Sequence, residues 1–386
     1  AKVLIASCIL IISFLSSIDK YDIDGIVPLI QQHYSINDSE TATIRTSSSI
    51  THTFTLALVW FFGESFKRRR LFLLSVAIWI TFSILSIVLG LNSFMLFVIF
   101  RALGAAASSV FSVLVPVILA DLYHDRALGI ALMCLSVSEM SATFLTGIIS
   151  SWIVTSTIPW QTGILISTLL TIPPLLFLIC ARKHLRNVER PESVKGFRSI
   201  VGSAFGIFSI KSYLLMTAAS SLLMLHGTAY GFWFPSVYLI AWTNVPEIFF
   251  GMSYTTVTAL NSAAMLSGTL IGLPAILWLA QCWRHGTGLF SGRKAYPRAY
   301  PIVTGIGAAI NIVAFVVSIV IMDKFYVPSV INSFFVGFTK AASMAVGQQI
   351  MFAVVPASSR ASANALSRLI SGMIGIPSAQ IVGFVS

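Results

Sequence analysis

The chain is a succession of long apolar runs, about eleven of them, on the scale of the roughly 20 residues that an α-helix needs to cross a bilayer. They cover residues 3–30, 47–62, 71–91, 94–122, 128–153, 161–180, 213–242, 254–282, 302–322 and 327–355, and a last run starts near residue 363. Of 386 residues, 56% are hydrophobic and only 10% are charged, with a mean hydropathy of +0.90. A water-soluble domain carries roughly 25% charged residues. Lipid must therefore solvate most of this chain, and the expected class is an all-α polytopic membrane protein.

The longest charged interruption is residues 181–198, ARKHLRNVERPESVKGFR, which has no apolar face long enough to span. It divides a six-helix half, residues 1–182, from a cytoplasmic linker, 183–211, and a second half, 212–386, with five helices. The chain begins without Met and ends inside an apolar run. The expectation is a piece of a longer protein whose twelfth helix lies beyond Ser386.

The net charge of +11 does not indicate nucleic acid, because the basic residues sit in short segments between apolar runs. Lys67 to Arg70, Arg126, the six basic residues from Arg182 to Arg198, Arg284, Arg293, Lys294, Arg298 and Arg360 all fall on one face if every run spans. The opposite loops hold little beyond Arg45 and Lys324. Basic loops stay cytoplasmic, which places the loop QQHYSINDSE outside, with Asn37 in an N-glycosylation triplet. Cys8, Cys134, Cys180 and Cys282 show no ligand spacing, so no metal or disulfide framework is indicated. No phosphate loop, HExxH or GxSxG is present, and nothing supports an enzyme or a cofactor.

Ionisable groups inside the apolar runs are costly and so are the functional candidates. The first run carries Asp19, Lys20, Asp22 and Asp24. Asp19 and Asp22 share a helical face. This stretch is either a lumen-facing acid cluster or the wet outer end of a helix that Gly25 and Pro28 terminate. Arg101 opens the fourth run, as a snorkelling residue or as an anion contact. Glu139, His52, His226 and Lys340 are embedded singly. Trp233 lies in an aromatic cluster, residues 230–235, that either lines an apolar cavity or forms a proline-kinked packing element.

Five segments together resemble the Spinster family of major facilitator transporters. They are IDKYDIDGIVPLIQQ at 18–32, GESFKRR at 63–69, Arg101 through Ala120-Asp121-Leu122-Tyr123, FWFP at 232–235, and the turn from Val355 to Ala363. The resemblance implies a major facilitator fold of two six-helix bundles, with the twelfth helix missing here. It implies a secondary carrier for an amphipathic lipid, such as sphingosine-1-phosphate or a lysophospholipid, often with protons. Asp19 and Arg101 would form a charge pair, with Arg101 on an anionic headgroup. Gly63, Glu64, Arg68, Arg69 and Asp121 would belong to a cytoplasmic gate.

Three departures stand out. Ser108 replaces the family's helix-four acid, Glu64 and Ser65 replace Asp and Arg, and Glu139 stands where the family has small residues. Asp22, Asp24 or Glu139 is the expected substitute proton carrier. The rival readings are a carrier of a small soluble organic anion or sugar, and a transport-dead receptor or scaffold. The expected setting is a monomer in the plasma membrane or in the late endosomal or lysosomal membrane.

Overall fold

The computed structural model describes residues 2–63, 66–155, 158–181, 202, 205–222, 243–291, 296, 299–321 and 324–375. Among these residues there are helices and no strands. The first six helices are α1 (Lys2–Tyr34), α2 (Asp38–Phe62), α3 (Arg68–Val88), α4 (Phe94–Leu122), α5 (Asp125–Thr155) and α6 (Gln161–Cys180). Residues 211–222 are helical and are labelled α7. Then follow α8 (Tyr254–His285), α9 (Ala299–Ile321), α10 (Tyr326–Val354) and α11 (Arg360–Gly375). Apolar stretches long enough to cross a membrane lie in α1, α3, α4, α6, α8 and α9. Most of the expected linker, together with His226 and Trp233, lies outside the described residues.

Two helix limits differ from expectation. Gly25 and Pro28 do not end α1, which runs on to Tyr34. In a membrane bundle one missing amide donor is compensated by neighbouring helices, so proline need not break the helix. Asp19 consequently sits near the middle of 33 residues rather than at a wet end. The second helix starts at Asp38, not near residue 47. Its cap explains this: Asn37 Oδ1 accepts the Glu40 amide at 2.8 Å, and Glu40 Oε2 accepts the Asn37 amide at 3.0 Å. This reciprocal capping box satisfies two orphan donors and draws Arg45 from the expected loop into the helix.

The backbone divides into two compact units. One comprises residues 1–124, 138–209 and 355–369; the other comprises 125–137, 210–354 and 370–386. In the first unit, Ile26, Ile30, Ile87, Phe97, Trp160 and Ile164 are among the residues of one buried core. Tyr34 donates to the Gly90 carbonyl at 2.9 Å, closing that end. Gly90 has no room for a side chain, because a Cβ would stand 2.9 Å from Phe97 Cα.

In the second unit, α8 and α10 approach backbone to backbone. A Cβ on Gly268, Gly272 or Gly337 would overlap the carbonyl of Phe334, Phe338 or Met265 respectively. Small residues permit such contact where lipid supplies no hydrophobic drive. The seam between α9 and α10 is polar instead. Asn311 Nδ2 donates to the Val336 carbonyl and to Thr339 Oγ1, and Asn332 Nδ2 donates to the Ala314 carbonyl and to Ser318 Oγ.

Candidate functional site

The first unit holds a buried charge cluster built on three helices. Asp19 of α1 is 3% exposed and Arg101 of α4 is 7% exposed. Arg101 Nη1 meets Asp19 Oδ1 at 2.8 Å, while Nη2 donates to the Asp19 backbone carbonyl at 2.9 Å. Trp79 Nε1 of α3 donates to the other carboxylate oxygen at 2.9 Å. Both carboxylate oxygens and both terminal guanidinium nitrogens are thus engaged. A buried ion pair survives only when its remaining polar atoms are satisfied in this way. The charge of Arg101 is neutralised where it stands.

About 12 Å further along α4, by helical rise, lies a second polar site. Ser109 Oγ stands 2.5 Å from His52 Nδ1 of α2 and 2.7 Å from the Ala105 carbonyl. Ser108 donates to the Ala105 carbonyl within its own helix, at 2.9 Å.

A third cluster lies at the opposite end of α4. Arg68 Nη1 donates to Asp121 Oδ2 at 2.7 Å, and Arg68 Nη2 donates to the Ala357 carbonyl at 2.8 Å. Arg360 Nη1 reaches the Ala120 carbonyl at 3.5 Å, and Asn364 Nδ2 donates to the Val113 carbonyl at 2.8 Å. Arg69 is buried beside them in sequence, and Gly63 caps α2 through its amide on the Val59 carbonyl. The start of α11 is thereby fastened to α3 and α4.

The structure brings together Asp19 with Arg101, and Arg68 with Asp121. Glu139 is half-buried in α5, and Lys340 is half-buried in α10. Asn37, named as a glycosylation candidate, is exposed and serves as a helix cap. The side chains of Asp22 and Asp24, and all of Glu64, lie outside the description. Sequence reasoning did not single out Trp79 or Asn364. An indole in an apolar run reads as packing, and an asparagine between alanines offers no local signal.

The chain matches the Major Facilitator Superfamily over residues 9–379. It is 23% identical to "Sphingosine-1-phosphate transporter SPNS2" of Xenopus tropicalis, over 100% of this chain and 74% of that protein. It is 21% identical to "Protein spinster homolog 1" of Xenopus laevis, over 100% and 73%. Its fold is similar to that of the human organic anion transporter MFSD10 (TETRAN), with a TM-score of 0.72 at 13% identity, covering 100% of this chain and 94% of that one. The long apolar helices and buried ion pairs among the described residues, and these matches across the whole of this chain, lead to one conclusion: the chain belongs to the Major Facilitator Superfamily, as a membrane transporter similar to the spinster proteins.

Proposed function

We propose that this transporter is a secondary carrier of an amphipathic lipid with an anionic head, working by alternating access. The observation that carries the reading is the similarity, over the whole of this chain, to a sphingosine-1-phosphate transporter. The buried Asp19–Arg101–Trp79 cluster supports it, since a charged pair inside membrane helices is expensive unless it is used. Asp19 and Arg101 act as a unit that fixes α1 on α4 and changes partners as the carrier cycles. Ser108 cannot take a proton, so any proton coupling runs through Asp19, Asp22, Asp24 or Glu139. The basic loops face the cytoplasm, in the plasma membrane or a late endosomal or lysosomal membrane.

Flux of labelled sphingosine-1-phosphate and lysophosphatidylcholine through full-length protein in proteoliposomes tests this. It is run with and without an imposed pH gradient, and with Arg101→Ala alongside. Transport of either lipid by the wild type, abolished in the variant, is the expected result. Folded wild-type protein that moves neither lipid rules out the lipid-carrier reading. Gradient-dependent flux that persists when Asp22, Asp24 and Glu139 are all replaced by Asn or Gln would point to Asp19 as the proton site.

A further inference from the structure

Lys340 stands at the midpoint of α10, 14 residues from Tyr326 and 14 from Val354. That is about 21 Å of helix to either end, beyond the reach of a snorkelling lysine. Its helical face is defined by its neighbours. Ser329, Ser333, Val336 and Lys340 follow at spacings of four, three and four, which places them on one stripe. The first three are no more than 1% exposed. The lipid-facing stripe of Val327, Ile331 and Phe335, each at least 50% exposed, lies roughly 140–180° away on a 3.6-residue period. Two turns on, Gly347 of the buried side packs against Met216 and Ser220 of α7. Lys340 therefore projects into the protein and not toward lipid.

No acid of its own half lies inside an apolar run of the sequence. After residue 212 the sequence contains only Glu247 and Asp323. Glu247 lies in the short turn before α8, and Asp323 lies in sequence between α9 and α10. The contrast with Arg101 is direct, because that cation is held by the Asp19 carboxylate at 2.8 Å. A cation kept inside a membrane helix calls for a counter-charge, and for Lys340 the molecule being carried can supply it.

Building on the carrier reading above, we infer that Lys340, rather than Arg101, is the cation that receives the anionic group of the transported molecule. An ammonium offers three donors around a compact charge, suited to phosphate or carboxylate oxygens. The Asp19–Arg101 pair is then a positioning element that sets α1 against α4.

The test is binding by full-length protein in nanodiscs, with sphingosine-1-phosphate, lysophosphatidylcholine and sphingosine as probes. Sphingosine lacks the phosphate. Lys340→Gln is expected to weaken sphingosine-1-phosphate roughly thirtyfold or more, to leave sphingosine unchanged, and to be rescued by Lys340→Arg. Unchanged sphingosine-1-phosphate affinity in Lys340→Gln overturns the inference. So does loss in both Lys340→Gln and Glu139→Gln with recovery in the double variant, which would make Lys340 the partner of Glu139. Should Lys340→Gln not fold, acylation of Lys340 in the wild type, read by mass spectrometry, decides the matter: protection by sphingosine-1-phosphate supports the inference and its absence overturns it. Wild type that binds none of the three probes defeats the carrier reading itself, and the inference with it.

Discussion

The Asp19 carboxylate accepts hydrogen bonds from two other helices, and its backbone carbonyl accepts one more from the same guanidinium. Removing one partner leaves a buried charge exposed to low dielectric, which costs more than the pair itself is worth. Arg101→Gln is therefore expected to destabilise the protein by about 3–5 kcal/mol, read as a lowered midpoint of thermal unfolding in detergent. Asp19→Asn combined with Arg101→Gln should recover most of that loss, because two neutral amides can bond to each other. A double variant as unstable as the sum of the two singles would show that the residues are not energetically coupled. Trp79→Phe keeps an aromatic ring but removes the donor and part of the buried indole, for an expected loss of at least about 1–3 kcal/mol. The two charged members were legible in the sequence because a charge in an apolar run has to be explained. Trp79 was not, because its indole nitrogen is one atom on an otherwise apolar side chain, and nothing local says where it points.

Helices in lipid gain little from burying apolar faces against one another, so close fit and specific polar contacts decide which pairs form. The seam of α8 and α10 depends on Gly268, Gly272 and Gly337, each against a partner carbonyl. Gly268→Val or Gly337→Val is expected to separate the two helices and to abolish monodisperse folded protein on size exclusion. Gly305→Ala in α9 is the matched control, since nothing lies within 4 Å of the added carbon. It should be neutral or gain up to about 1 kcal/mol from helix propensity. Equal behaviour of the two classes would remove close packing as the cause. Element positions were largely legible from the length of the apolar runs. The limits were less so. Gly25 and Pro28 carry their water-soluble meaning on the page, yet α1 passes through both. The early start of α2 was written in the Asn37–Glu40 spacing, a local signal that a hydropathy reading passes over.

For the whole molecule, the all-α polytopic class could be read directly, because it is a property of composition along the chain. The fastening of residues 355–369 to α3 and α4 could not. Arg68 and Ala357 are 289 positions apart, and no periodicity links them. That fastening joins a segment late in the chain to helices near its start, so it must loosen if the carrier opens at this end. Arg68 makes the contact that ties Asp121 and the Ala357 carbonyl together, with both charged side chains under 10% exposed. Losing a charge-assisted bond of this kind shifts a two-state equilibrium by roughly tenfold to a hundredfold. The expected outcome for Arg68→Gln is a matching rise in the labelling rate of a cysteine placed at Ala120, which is 1% exposed in this structure. A water-soluble maleimide is the probe, with Cys8, Cys134, Cys180 and Cys282 replaced by Ser. Asp121→Asn removes the same ion pair from the other side and should raise labelling to a similar degree, whereas a variant at Glu247, remote in sequence from this cluster, should not. If labelling stays at the background rate in both variants while flux is altered, the ion pair tunes transport by some route other than holding this end shut.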